Sequence, residues 1–414
     1  MLKRRRFSAA DDWRGFLTRA PLQWEMIMLS RSHTSLVLFL LTYGLPALCA
    51  EAALTATRTT CVSANGKFLV VQKEYGSFRS SSLEVWDTKA SKRVAQIPAK
   101  SRMVAIGGEA IDDHGFLLAR DGDRVRGWSC EAGSELFAFD ISEPVFACAI
   151  SPDRHTLLVS KFREGSWRRT GLVEMWDITD KKKVAEVPGP SVGCPEVSFL
   201  ADGSKAILAE VEGRLLLLDV PKNRIAWQVN IGKDEPSGLC ELPDGKGVLC
   251  AGTGPKLDEA VIVDLGTGKV KAVLKGHRDM VLAAGYIAQL GYLVTLGRER
   301  IVCIWDALKR EPLYCLEVDS KEGSDAKWFR AAIATPPGTN QVVIARTVMV
   351  KRGKREMYGV LLDNWVLFVK VSWWDLKERK CLRSAMVTDD WKDGDCTGEE
   401  LTESLTNAFK GDWK

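Results

Sequence analysis

The sequence is poor in imidazole. There are four histidines in 414 residues, too few to support a polyhistidine metal centre or several acid/base relays. No Cys-x-x-Cys pair occurs, so zinc-ribbon chemistry has no ligands at the required spacing. There is no Gly-Lys-Ser/Thr phosphate loop, no dinucleotide fingerprint and no His-Glu-x-x-His. A one-sided charge is missing as well: 58 basic against 54 acidic residues leave +4, too little to point to a nucleic-acid partner. No cofactor and no metal are expected. The longest apolar stretch, Leu36 to Ala50, is broken by Thr42, Gly44 and Pro46 and is shorter than the roughly 20 residues that span a bilayer.

What that stretch does resemble is an export signal. Arg31 precedes it, and the small residues Ala47, Cys49, Ala50 and Ala52 follow it. A basic start, an apolar middle and a small-residue exit are the layout of a secretory leader. Residues 26–52 are therefore expected to be a signal peptide, with Met26 or Met28 as the start and residues 1–25 as an upstream extension. A single membrane anchor is the alternative. Lipid attachment at Cys49 is disfavoured by Leu48 before it. Residues 1–50 hold seven basic and three acidic side chains, so the remainder carries 51 of each sign. The expected localisation is secreted or periplasmic, without stable membrane insertion once the leader is removed.

The rest of the chain repeats. Apolar runs end in Trp-Asp or a near match at Trp86-Asp87, Trp128-Ser129, Trp176-Asp177, Leu218-Asp219, Val263-Asp264, Trp305-Asp306 and Trp374-Asp375. The steps between them are 42, 48, 42, 45, 42 and 69 residues. Upstream of most lies a turn cluster: Asn65-Gly66, Asp113-His114-Gly115, Pro152-Asp153-Arg154, Asp202-Gly203, Asp244-Gly245 and Pro337-Gly338, with a weaker Leu290-Gly291 in the sixth unit. Asn or Asp followed by Gly supplies the positive φ of a hairpin. Each unit thus reads as four short antiparallel strands, a to d. One blade cannot bury both faces, but seven stacked in a ring can.

The spacing and the Trp-Asp endings resemble the WD-repeat β-propeller family over residues 54–388. The resemblance implies an all-β, seven-bladed propeller at 53–388, with 389–414 a polar tail containing a short helix. Unit six is similar to the family in detail. Gly276-His277, Thr295, Glu299 and Trp305 stand where the family places a buried hydrogen-bonded His, Ser/Thr, Asp and Trp, with Glu299 replacing the Asp. These four residues, and Trp86, Trp176 and Trp374, are expected to be structural. The other units lack Gly-His, so they are expected to depend on apolar packing. The ring is expected to close by packing, unless Ala53–Ala56 pair into the last blade.

Function is sought in the long b–c connections, because loops on a rigid scaffold carry binding residues. Unit one offers Tyr75, Phe78 and Arg79. Unit three offers Arg163, Trp167, Arg168 and Arg169. Unit seven adds a hairpin with a basic tip, Lys351, Arg352, Lys354, Arg355 and Tyr358. The reading is a monomeric, non-catalytic scaffold for a protein or glycan partner. A propeller hydrolase or lyase with a site in the central channel is the alternative, and an intracellular assembly scaffold with a misread leader is a third. Gly189-Pro190-Ser191-Val192-Gly193 matches a nucleophile-elbow pattern, but no helix follows it, as that motif requires. Ten cysteines follow the leader. Cys240 with Cys250, and Cys303 with Cys315, flank turns symmetrically and are candidate cross-strand disulfides.

Overall fold

The computed structural model describes residues 25–31, 34–40, 54–75, 80–98, 103–105, 110–121, 123–141, 145–162, 171–190, 192–233, 236–242, 244–253, 257–318, 327–357, 360–387 and 391–394. The chain divides into two units, Met1–Ala53 and Leu54–Lys414. In the first, β1 (Glu25–Arg31) and β2 (Thr34–Leu40) form an antiparallel hairpin with Met28 opposite Val37. No helix among the described residues is long and apolar enough to cross a membrane.

The second unit is all-β and forms a seven-bladed propeller. Blade one holds β3 (Leu54–Val62), β4 (Phe68–Tyr75), β5 (Ser80–Asp87) and β6 (Lys92–Pro98). Blade two holds β7 (Met103–Ala105), β8 (Phe116–Asp121), β9 (Arg124–Ser129) and β10 (Ser134–Asp140). Blade three holds β11 (Val145–Ile150), β12 (Thr156–Phe162), β13 (Gly171–Asp177) and β14 (Lys182–Glu186). Blade four holds β15 (Glu196–Phe199), β16 (Lys205–Ala209), β17 (Arg214–Asp219) and β18 (Arg224–Asn230). Blade five holds β19 (Gly238–Glu241), β20 (Gly247–Thr253), β21 (Glu259–Asp264) and β22 (Val270–Leu274). Blade six holds β23 (Val281–Ile287), β24 (Tyr292–Gly297), β25 (Ile301–Asp306) and β26 (Pro312–Glu317). Blade seven holds β27 (Lys327–Ala334), β28 (Gln341–Met357), β29 (Val360–Asp375) and β30 (Lys380–Val387), and β31 (Trp391–Gly394) adds a fifth strand on its outer edge. That strand lies within the segment read from sequence as a polar tail. The short helix expected further along falls outside the described residues.

The turns explain the sequence markers. Every a–b turn has one residue at positive φ: Gly66, Gly115, Arg154, Gly203, Gly245, Gly291 and Gly338. Six of these are glycine, which enters the left-handed region without a Cβ penalty. The c–d turns repeat the device at Ser91, Gly133, Lys181, Asn223, Gly268, Arg310 and Arg379. Here the aspartate after the Trp position supplies the mechanism. Asp87 accepts the Lys89 and Ala90 amides at 2.9 and 2.8 Å, and Asp306 and Asp375 do the same for their own turns. The Asp is therefore a turn-former, its carboxylate standing in for a backbone acceptor. In blade two Ser129 takes its place, accepting the Ala132 amide at 3.1 Å.

The core lies between blades. Alternating strand residues face the two neighbours, and the apolar clusters link the blades in order. Val70 and Val85 pack with Leu117 between blades one and two, and Phe139, Val159 and Leu208 belong to one cluster through blades two, three and four. Leu217 meets Val261 between four and five, Ile262 meets Leu293 between five and six, and Ile304 meets Ile344 between six and seven. The last junction returns to the start: Val62, Leu69, Val71 and Trp86 pack on Val343, Val369 and Val371. Leu54 pairs with Tyr75 inside blade one, and among the described residues no strand is shared between the first and last blades. Closure is by packing, helped by Arg383, which donates to the Thr88 carbonyl at 3.0 Å from 295 residues away.

Candidate binding face and its buried supports

Blade six contains the hydrogen-bonded set that its sequence suggested. His277 lies in the connection from β22 to β23, and its Nδ1 is 2.6 Å from Glu299 Oε1 in the b–c turn. Its Nε2 is 2.8 Å from Thr295 Oγ1 on β24. Trp305 Nε1 on β25 donates to the same hydroxyl at 2.9 Å. Thr295 is fully buried and Trp305 almost so. The chain of contacts ties an inter-blade loop to a b–c turn, placing both on one face of the wheel. Glu299 Oε1 also accepts the Arg278 amide at 3.3 Å, so the longer acid still reaches the loop.

Apolar packing is not the whole support in the other blades. Blades one and three carry a charged replacement. Trp86 Nε1 donates to Glu84 at 3.1 Å, and Trp176 Nε1 donates to Glu174 at 3.1 Å. Each glutamate then meets a buried lysine of strand b, Lys73 at 3.1 Å and Lys161 at 2.9 Å. A half-exposed cation on strand d completes each set, Arg93 at 2.6 Å and Lys183 at 2.7 Å. Blade seven uses a neutral acceptor: Trp374 Nε1 donates to Ser372 at 3.0 Å, and the Arg346 guanidinium, fully buried, donates to the same hydroxyl at 2.8 Å. The missed signal was local. Glu-x-Trp puts acid and indole on the same face of one strand, since side chains alternate with a period of two.

These groups are buried and paired. Burial alone raises the Glu174 carboxyl, but hydrogen bonds from Lys183 and Lys161 outweigh it and hold the group below the ordinary glutamate value. Burial drives the Cys148 and Cys194 thiols well up and Cys130 up to about 12, which suppresses thiolate chemistry. Ser191 of the elbow-like motif falls outside the described residues. Among the described residues no cluster of His, Cys, Asp or Glu is arranged to hold a metal.

The cysteine expectations separate. Cys303 and Cys315 stand directly opposite one another on β25 and β26, with Cα atoms 4.2 Å apart, and form a disulfide. Cys240 and Cys250 do not. The turn pairs Cys240 with Leu249 and Leu239 with Cys250, one residue off the symmetrical register. A one-residue offset puts the two side chains on opposite faces of the sheet, and neither cysteine is in a disulfide. Peptide mapping after alkylation without reductant is expected to label Cys240 and Cys250 and leave Cys303 and Cys315 unlabelled. Labelling of the latter pair would contradict the bridge.

Of the expected binding residues, Tyr75 ends β4, opposite Ser80. Phe78, Arg79, Arg163, Trp167, Arg168, Arg169 and Tyr358 lie outside the described residues. Lys351, Arg352, Lys354 and Arg355 lie on β28, whose hairpin with β29 extends far past the other blades. Lys351 pairs with Trp365, Lys354 with Asp363 and Arg355 with Leu362, with a register shift between Lys351 and Lys354. The extra hairpin expected in unit seven is therefore a two-stranded ribbon continuing the blade.

No family model matches the chain. One curated relative, THO complex subunit 6 homolog of Danio rerio, is 37% identical over 57 residues. The match covers 14% of this chain and 18% of that protein, so the chain spans less than a fifth of the relative's length. The seven-bladed architecture and this partial likeness to a WD-repeat protein together fit a WD-type propeller.

Proposed function

We propose that the chain is a non-catalytic scaffold that binds a protein partner on its b–c face. The observation that carries this reading is the ribbon of β28 and β29, projecting from a wheel braced by buried polar sets in blades one, three, six and seven. A stiff disc with one enlarged edge feature suits recognition by surface. The relative is by its name a subunit of a complex, which is consistent with a role in assembly.

The test is affinity purification of the chain beside a version in which residues 350–367 are replaced by a two-residue turn. A stoichiometric partner retained by the first and lost by the second is expected, with both melting cooperatively. A partner indifferent to the deletion would move the site elsewhere. Absence of any stoichiometric partner would overturn the scaffold reading. Export is the finer part of the proposal, supported by the leader-like stretch at 26–52 and by the Cys303–Cys315 bridge, a bond favoured in oxidising compartments. N-terminal sequencing of the mature protein is expected to begin after Cys49, Ala50 or Ala52. A mature chain that retains residues 26–48 would contradict it.

A further inference from the structure

The ribbon has two edges, and they are not alike. β27 pairs with β28 only as far as Met349, so among the described residues Val350–Met357 have no strand partner on that side. β30 pairs with β29 only from Val369 onward, so among the described residues Val360–Phe368 have none on theirs. An exposed strand edge is a template for another strand, and proteins blunt such edges with charge and with bulges. The β28 edge has both devices: Lys351, Arg352, Lys354 and Arg355 in sequence, and the register shift at the same place. The β29 edge has neither. It reads Val-Leu-Leu-Asp-Asn-Trp-Val-Leu-Phe, with one charge in nine residues.

In the register of the ribbon, Val350 pairs with Val366 and Met349 with Leu367. Two strands alone are marginal in water, and a third strand is the smallest addition that gives such a ribbon a sheet. Charge indicates what that strand is. Four basic and two acidic residues lie between Val348 and Phe368, so two ribbons repel, whereas an acidic segment is attracted.

We infer that the open edge of β29 over Val360–Phe368 accepts an extended strand from a partner protein in which apolar and acidic residues alternate. The inference rests on the scaffold reading and names the partner's chemistry. Main-chain hydrogen bonds supply the affinity in this mode, and alternate side chains supply the selection. The β28 cations lie one strand away from the added segment and select for acid. The blunted outer edge of β28 limits the addition to one side.

Fluorescence anisotropy on the full chain tests this, with a short labelled peptide of alternating valine and glutamate and a valine–lysine peptide for comparison. Saturable binding of the acidic peptide is expected, at least about tenfold tighter than the basic one. Lys354→Glu with Arg355→Glu is expected to remove most of that preference. Neighbouring residues of a strand turn their amides to opposite sides, so of Asn364→Pro and Trp365→Pro one deletes an outward donor and is expected to abolish binding. Equal affinity for the two peptides would overturn the proposal. So would light scattering that shows a dimer dispersed by either proline, because the chain would then fill its own edge. Binding that emerges only after removal of residues 395–414 would assign the edge to the chain's own acidic end, and would also overturn it. A chain that keeps its stoichiometric partner yet ignores the acidic peptide refutes strand addition alone; loss of both refutes the scaffold.

Discussion

Replacing Glu174 by alanine is expected to destabilise the propeller by roughly 3–5 kcal/mol, the range for breaking a buried ion pair from one side. Lys161 is 4% exposed and would lose the Glu174 carboxylate, while the Trp176 indole would lose its acceptor. The loss belongs to the groups left behind more than to the pair itself. Glu174→Leu combined with Lys161→Met is therefore expected to recover most of the stability, since replacing both charges by apolar groups removes the desolvation cost too. Urea unfolding of the two single variants and the double variant checks this. Simple additivity of the single effects would contradict it.

The same carboxylate sets a pH dependence. Its folded pKa lies below the unfolded value, which for glutamate is about 4.3. The stabilisation it contributes is complete above the unfolded value and is lost as pH falls through the folded one. Unfolding midpoints measured from neutral pH downward should decline more steeply for the native chain than for Glu174→Gln in that acid window.

The second large effect belongs to blade six. Thr295→Val keeps the shape of the side chain and removes one oxygen. That oxygen meets both Trp305 Nε1 and His277 Nε2. Each buried polar group left without a partner costs about 1–3 kcal/mol, so the variant is expected to lose roughly 2–4 kcal/mol. Thr295→Ser, which keeps the hydroxyl, should recover most of it. A loss equal in the valine and serine variants would assign the effect to packing instead.

How much of this was legible beforehand differs by feature. The seven Trp-position marks and the Asn/Asp-Gly turns located the blades, because a turn that needs positive φ restricts its residues and so writes itself into sequence. The Trp-Asp aspartate was legible as a marker but not as a cause; its grip on the c–d turn amides emerged from geometry. The blade-six set was readable because Gly276-His277, Thr295, Glu299 and Trp305 stand at the spacings of the resembled family's hydrogen-bonded set. The sets in blades one and three were missed because Glu84 and Glu174 look like ordinary solvent-facing residues until Lys73 and Lys161 arrive from the neighbouring strand. The Cys240–Cys250 expectation failed on a parity of one residue, which turn composition does not encode. The β29 edge depends on where β30 stops, a long-range fact invisible in a local pattern.

The account stands on one junction, the return of blade seven to blade one. A Cβ placed on Gly66 would lie 3.5 Å from Val343 Cβ, within the range a disulfide spans. With Gly66→Cys and Val343→Cys together, mild oxidation of dilute monomer should link the two positions and yield a single cross-linked peptide pair by mass spectrometry. Gly66 sits at a φ of 70°, so Cys there strains the turn; an oxidised chain that still melts cooperatively yet leaves these cysteines free, or pairs them only with other residues, would mean that the wheel does not close as described.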